Sequence, residues 1–103
     1  MSKMKIRFFP QRRDDRLELE RQGDVLFVNG KAHDFSDIPD GGMQDVQGSD
    51  HLWMVEPVRR RDGDIELALF LPIGAFASQK ERFPAPVIVI EDGPVTLPGS
   101  GTS

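Results

Sequence analysis

From Asp64 to Leu71 apolar residues alternate with others, so that Ile65, Leu67, Leu69 and Leu71 share one face. A repeat of two is that of a β-strand with one buried side. Asp62-Gly63 stands immediately before it, and Asp-Gly suits a two-residue hairpin turn because both central positions need positive φ. Leu52 to Arg60 supplies the partner strand. Counting outward from the turn sets Arg61 opposite Asp64, Arg59 opposite Glu66 and Val58 opposite Leu67. Opposite charges near the turn and an apolar pair deeper in are what a stable hairpin requires.

The same reasoning extends along the chain. Leu17 to Glu20 alternates, Gln22-Gly23 can turn, and Asp24 to Val28 returns, which sets Leu19 opposite Leu26 and Leu17 opposite Val28. Asn29-Gly30 is a second strong turn signal, followed by Lys31 to Phe35. Met4 to Phe9 reads as a first strand ended by Pro10. Val87 to Ile90 reads as a late strand, and Asp92-Gly93-Pro94 leads into Val95 to Leu97. No stretch of helical period competes; Ser78 and Glu81 have capping-box spacing, but Pro84 leaves room for one turn only. The expected fold is therefore all-β, an antiparallel meander closing as a small sandwich or barrel with at most one short helical turn. Residues 1–98 form a single β domain, and residues 99–103 form a disordered tail. Two connections are long, Ser36 to Asp50 and Pro72 to Pro86; the first reads either as a plain surface loop or as a binding loop.

Catalytic chemistry is thin. The chain has no cysteine, so disulfides, thiolate metal sites and thiol nucleophiles are excluded. Ser49, Asp50 and His51 are the members of a hydrolase triad but stand consecutively, and neighbouring side chains on an extended chain point apart. His33 reads as a structural histidine on the face of Leu26 and Leu19. Asp34, Asp37 and Asp40 read as turn formers rather than calcium ligands. No catalytic, metal or cofactor site is expected. A small metal-assisted enzyme using His33 or His51 with loop carboxylates is the alternative reading.

The formal net charge is −4, which argues against a nucleic-acid partner. The basic clusters are Arg12-Arg13, offset by Asp14-Asp15, and Arg59-Arg60-Arg61, and neither is interleaved with aromatic residues. A nucleic-acid module built on Arg59 to Arg61 is the third and weakest reading. No secretory signal is recognised at Met1 to Lys5, and the longest apolar run, Leu67 to Ala77, is broken by Pro72 and Gly74. The expected address is cytoplasmic, with no membrane partner. Trp53, Val55 and Phe70 fall on the face opposite the Leu67 stripe, where a sheet with one wet side carries polar residues. They are covered within the monomer or serve as a protein–protein interface, and they are the interface candidates.

The stretch Phe8-Phe-Pro-Gln-Arg-Arg-Asp-Asp15 with Leu17 resembles small uncharacterised phage and prophage proteins encoded among tail-morphogenesis genes. So do Gly23-Asp-Val-Leu-Phe-Val-Asn-Gly30, Asp34-Phe35, Leu71-Pro-Ile-Gly-Ala75, Phe83-Pro-Ala-Pro86 and Asp92-Gly-Pro-Val-Thr-Leu-Pro98. The similarity covers most of residues 6 to 98 and is weakest from Asp40 to Gly48. It implies a genomic setting rather than an activity, and no catalytic residue comes with it. The implied role is that of a non-enzymatic tail-associated structural or assembly-helper protein, contacting another protein and virion-associated or cytoplasmic.

Overall fold

In the computed structural model, residues 3–74, 77 and 79–98 are described. The first strand, β1 (Met4–Arg12), is followed by β2 (Leu19–Gln22), β3 (Val25–Val28) and β4 (Lys31–Asp34). A two-residue strand β5 (Met43–Gln44) and a 3-10 turn at Gly48–Leu52 occupy the first long connection. The hairpin strands β6 (Val58–Arg61) and β7 (Asp64–Ile73) come next, then one helical turn α1 (Gln79–Arg82), β8 (Val87–Val89) and β9 (Gly93–Pro94). The strands make two sheets, ordered β5-β6-β7-β1-β8 and β4-β3-β2-β9. The all-β reading is borne out, and the arrangement is two packed sheets rather than a closed barrel.

Both hairpins built on an Asx-Gly turn have the expected register. Arg61 pairs with Asp64 and Arg59 with Glu66, and Val28 pairs with Lys31. Asn29 and Gly30 have φ of 50° and 83°, and Asp62 and Gly63 have 52° and 82°, as such turns demand. The β2–β3 hairpin departs from expectation by one step at its turn. Leu19 pairs with Val28 and Gln22 with Val25, so Gly23-Asp24 is the turn instead of Gln22-Gly23. Gly23 takes the positive φ, 59°, at the first turn position, and its N–H donates to Asp92 Oδ1 at 2.8 Å. A two-residue slip leaves every side chain on its expected face.

The larger correction is the place of β1. It does not continue the meander but pairs in parallel with β7 along its whole length, Met4 with Ile65 through Arg12 with Ile73. Met4, Ile6 and Phe8 thereby extend the Ile65, Leu67 and Leu69 stripe into one apolar layer. Leu19, Leu26 and Val28 of the other sheet face it, and Phe35 and Ile38 from the first long connection close one side. Nor does Pro10 end β1. The Ile65 N–H donates to Lys3 O and the Arg13 N–H to Ile73 O, so odd-numbered residues of β1 bond β7. Pro10 turns its nitrogen the other way, where β8 pairs only with residues 4 to 6, and no ladder bond is lost.

The 52–60 segment is interrupted. The β6–β7 register would set Glu56 across from Leu69, yet the isolated bridge there is Met54 with Leu69. The strand slips by two residues around Pro57, which has no N–H to give the ladder. The Ser36 to Asp50 connection is partly docked, with Gly41 N–H donating to Arg60 O and Arg60 N–H to Gly42 O. Asp34 acts as a turn former, accepting from the Ser36 N–H, whereas Asp40 reaches across to accept from the Gly63 N–H of the β6–β7 turn. Ser78 and the 99–103 tail lie outside the described residues.

Two inward-pointing arginines cross the interior. Arg21 is 2% exposed; its Nε donates to Gly23 O at 2.9 Å and its Nη1 to Val89 O at 2.6 Å, joining β2 to β8. Arg60 reaches from β6 to Ile38 O, Phe35 O and Gly63 O, with Asp24 Oδ2 at 3.2 Å. Replacing Arg60 by Ala removes these donors, although Phe35 O still accepts from the Ile38 N–H. Arg60→Ala is expected to cost about 2–4 kcal/mol in urea unfolding, whereas Arg61→Ala, on the exposed face, should stay within about 0.5 kcal/mol.

Candidate functional site

The outer face of the five-stranded sheet is built by the residues that alternate with the core stripe. On β1 these are Lys5, Arg7, Phe9 and Gln11, and on β7 Glu66, Ala68, Phe70 and Pro72, each beside its partner in that order. Lys5 also stands beside Ile88 of β8, which is 54% exposed. Arg59 adjoins Glu66 from the β6 side.

The three interface candidates remain on this face. Phe70 N–H donates to Trp53 O at 2.8 Å and Val55 N–H to Ala68 O at 3.0 Å, which sets Trp53, rather than Val55, across from Phe70. Because the slip is even, Trp53, Val55 and Phe70 keep their common side. All three are half-buried, and Trp53 also packs against the edge of the core. Phe9, 41% exposed, adjoins Phe70 from β1 and is the most open member of the aromatic group. The Arg13 guanidinium lies 4.1 Å from the Trp53 ring centroid, a cation–π contact. Arg13 is held in place by a two-pronged bond to Asp15 and by Leu52 O.

At the other end of the same face, Lys5, Arg7, Arg59 and Arg61 line a groove of about 400 Å³ with Glu56, Pro57 and Glu66. Arg7 pairs with Glu56, the residue displaced by the slip at Pro57. Among the described residues, Lys5, Arg59 and Arg61 make no ion pair. Arg59 and Arg61 thus belong with β1 cations, whereas Arg60 is turned inward. Phe9, Lys5 and Arg7 escaped the sequence reading as site residues, since only the parallel pairing places them beside the hairpin. Their alternation with Met4, Ile6 and Phe8 was the available signal.

A second cleft, about 220 Å³, holds the titratable groups that the sequence singled out. Asp50 of the 3-10 turn accepts a 2.6 Å bond from Lys31 Nζ and lies 3.8 Å from His33 Nδ1, beyond hydrogen-bond reach. His33 stacks on Phe35 with ring centroids 6.4 Å apart. His51 is exposed, and Asp50 is directed at the β4 side chains rather than forming a base–orienter pair with it. Among the described residues no three His, Asp or Glu side chains are grouped to hold a metal ion.

Burial pushes the His33 pKa down; Asp50 opposes this, and Lys31 adds to it. The Lys31 bond, with the nearby histidines, holds Asp50 below the usual carboxylate range. A histidine whose folded pKa lies below its unfolded value binds more protons when unfolded, so stability increases with pH through that window. Stability is expected to fall as pH drops below about 6.5, the unfolded histidine value. A further loss follows as Asp50 protonates at still lower pH. Urea midpoints between neutral pH and the onset of carboxylate titration should lose this slope in His33→Gln.

Comparison of the chain with protein-family models, curated proteins and solved structures gave no match.

Proposed function

We propose that the chain is a non-enzymatic structural component or assembly helper of a phage tail, acting through protein–protein contacts on the outer face of its five-stranded sheet. The observation that carries this reading is the aromatic group of Phe9, Phe70 and Trp53 at the solvent side of an open sheet. Aromatic side chains offer large apolar area at low entropic cost, and interfaces are enriched in them. The tail setting rests on the resemblance of the turn and strand motifs. Support for a non-enzymatic role comes from the engagement of Asp50 with Lys31 of β4 rather than with His51 as its orienting partner.

The test is co-sedimentation: a lysogen carrying the gene is induced, particles are purified, and the protein is located by mass spectrometry. Wild-type protein is expected in fixed ratio with tails, or in complex with a tail protein before assembly. Trp53→Ala and Phe70→Ala should weaken that association by about 30-fold or more, the effect of truncating an aromatic hot spot, with unchanged circular dichroism. Normal association by both folded variants would remove this face from the interface.

A further inference from the structure

We propose that the cationic groove beside the aromatic group is a phosphate-binding track, and that its ligand is single-stranded nucleic acid. This inference shares Phe9 with the protein-contact reading but rests on the cations Lys5, Arg59 and Arg61, which that reading does not use.

The sheet order puts β7 between β6 and β1, so the groove has β7 as its floor. Arg59 and Arg61 form one wall and Lys5 and Arg7 the other. Strands lie about 4.8 Å apart, which separates the walls by roughly 10 Å. Along each wall the cations are two residues apart, roughly 6.5 Å. The β7 residue lining the groove is Glu66, flanked by Arg59 from β6 and Lys5 from β1. Four cations face Glu56 and Glu66 there, with Asp64 across from Arg61 at the groove's end; Glu56 is already bound to Arg7, and Asp64 accepts the Lys3 N–H. The chain as a whole is acidic at −4, so this positive region is a local exception set by the fold.

The track runs directly into a stacking surface. One alternation step from Arg7 along β1 stands Phe9, with Phe70 beside it. An anionic chain with its phosphates in the groove would bring its next base over the exposed Phe9 ring. Cations that follow a backbone, with an aromatic ring for the base, are the two elements of single-strand recognition on a sheet face. Free phosphate or an acidic peptide would use the first element and not the second. Glu66, on the floor between Lys5 and Arg59, opposes any phosphate placed there.

The experiment is fluorescence anisotropy of labelled oligothymidylate, about 15 nucleotides long, with the full chain over a salt series. Binding at low salt is expected, with log affinity falling against log salt at a slope of about −2 to −3, as three or four phosphate contacts require. Arg59→Ala with Arg61→Ala should lower affinity about tenfold and flatten the slope by about one unit or more. Phe9→Ala should weaken binding roughly tenfold with the slope unchanged, as lost stacking does. Glu66→Gln should tighten binding, a gain of function that misfolding cannot imitate. No binding at about 20 mM salt overturns the proposal. Equal affinity for poly-glutamate, or insensitivity to Phe9→Ala, also overturns it and reassigns the groove to acidic protein segments. None of these results bears on whether Trp53 and Phe70 hold the chain to tails.

Discussion

The parallel ladder between β1 and β7 is the constraint on which the rest of the molecule depends. It is nine residues long and joins the first strand of the chain to the hairpin strand at its centre. A parallel pair cannot be closed by a tight turn, so everything between its strands must be accommodated as a crossover. Here the crossover contains three of the four strands of the second sheet, β2 to β4, with β5 and β6 of the first. The ladder therefore sets both surfaces at once: the inner one, where Met4, Ile6 and Phe8 complete the core, and the outer one, where Lys5, Arg7 and Phe9 join the hairpin. It is also costly in chain entropy, since its contacts are non-local, and its apolar layer is what offsets that cost.

Arginine has three different tasks in this protein, and position alone separates them. Arg21 and Arg60 point inward and donate to backbone carbonyls of segments distant in the chain, Val89 for Arg21 and Phe35 and Ile38 for Arg60. Arg13 is clamped by Asp15 and sits over the Trp53 ring. Arg59 and Arg61 flank Arg60 on either side yet face solvent, because strand alternation reverses direction at every residue. A run of three arginines is thus one structural stitch between two surface charges. The guanidinium suits the stitch because its fixed fork of donors reaches several carbonyls together.

Net charge and local field part company for the same reason. The acidic excess lies largely in turns and loops, at Asp14, Asp15, Asp37, Asp40, Asp45, Asp62, Glu91 and Asp92. The outer face of the five-stranded sheet holds Lys5, Arg7, Arg59 and Arg61 close together. A phosphate group within a Debye length of that face, about 8 Å at physiological salt, meets those four cations together with Glu56 and Glu66, a local excess of positive charge in an acidic chain. A protein partner with an apolar anchor and an acidic rim would meet complementary features on the same face.

What the sequence determined by itself is local. Alternation at Asp64 to Leu71 and the Asn29-Gly30 and Asp62-Gly63 turns settled two hairpins, their registers and the faces of their side chains, because period and turn geometry act over a few residues. The common side of Trp53, Val55 and Phe70 was legible for that reason and survived the slip at Pro57. The tertiary structure alone decided that β1 pairs with β7, that Pro10 is tolerated, that Gly23-Asp24 makes the turn, and that Arg60 serves the interior. It also decided that Phe9 meets Phe70 and that Lys5 and Arg7 face Arg59 and Arg61. These are matters of which distant strands share an edge, and that choice is made by burying the whole apolar layer at once, a sum over the chain that no local pattern contains.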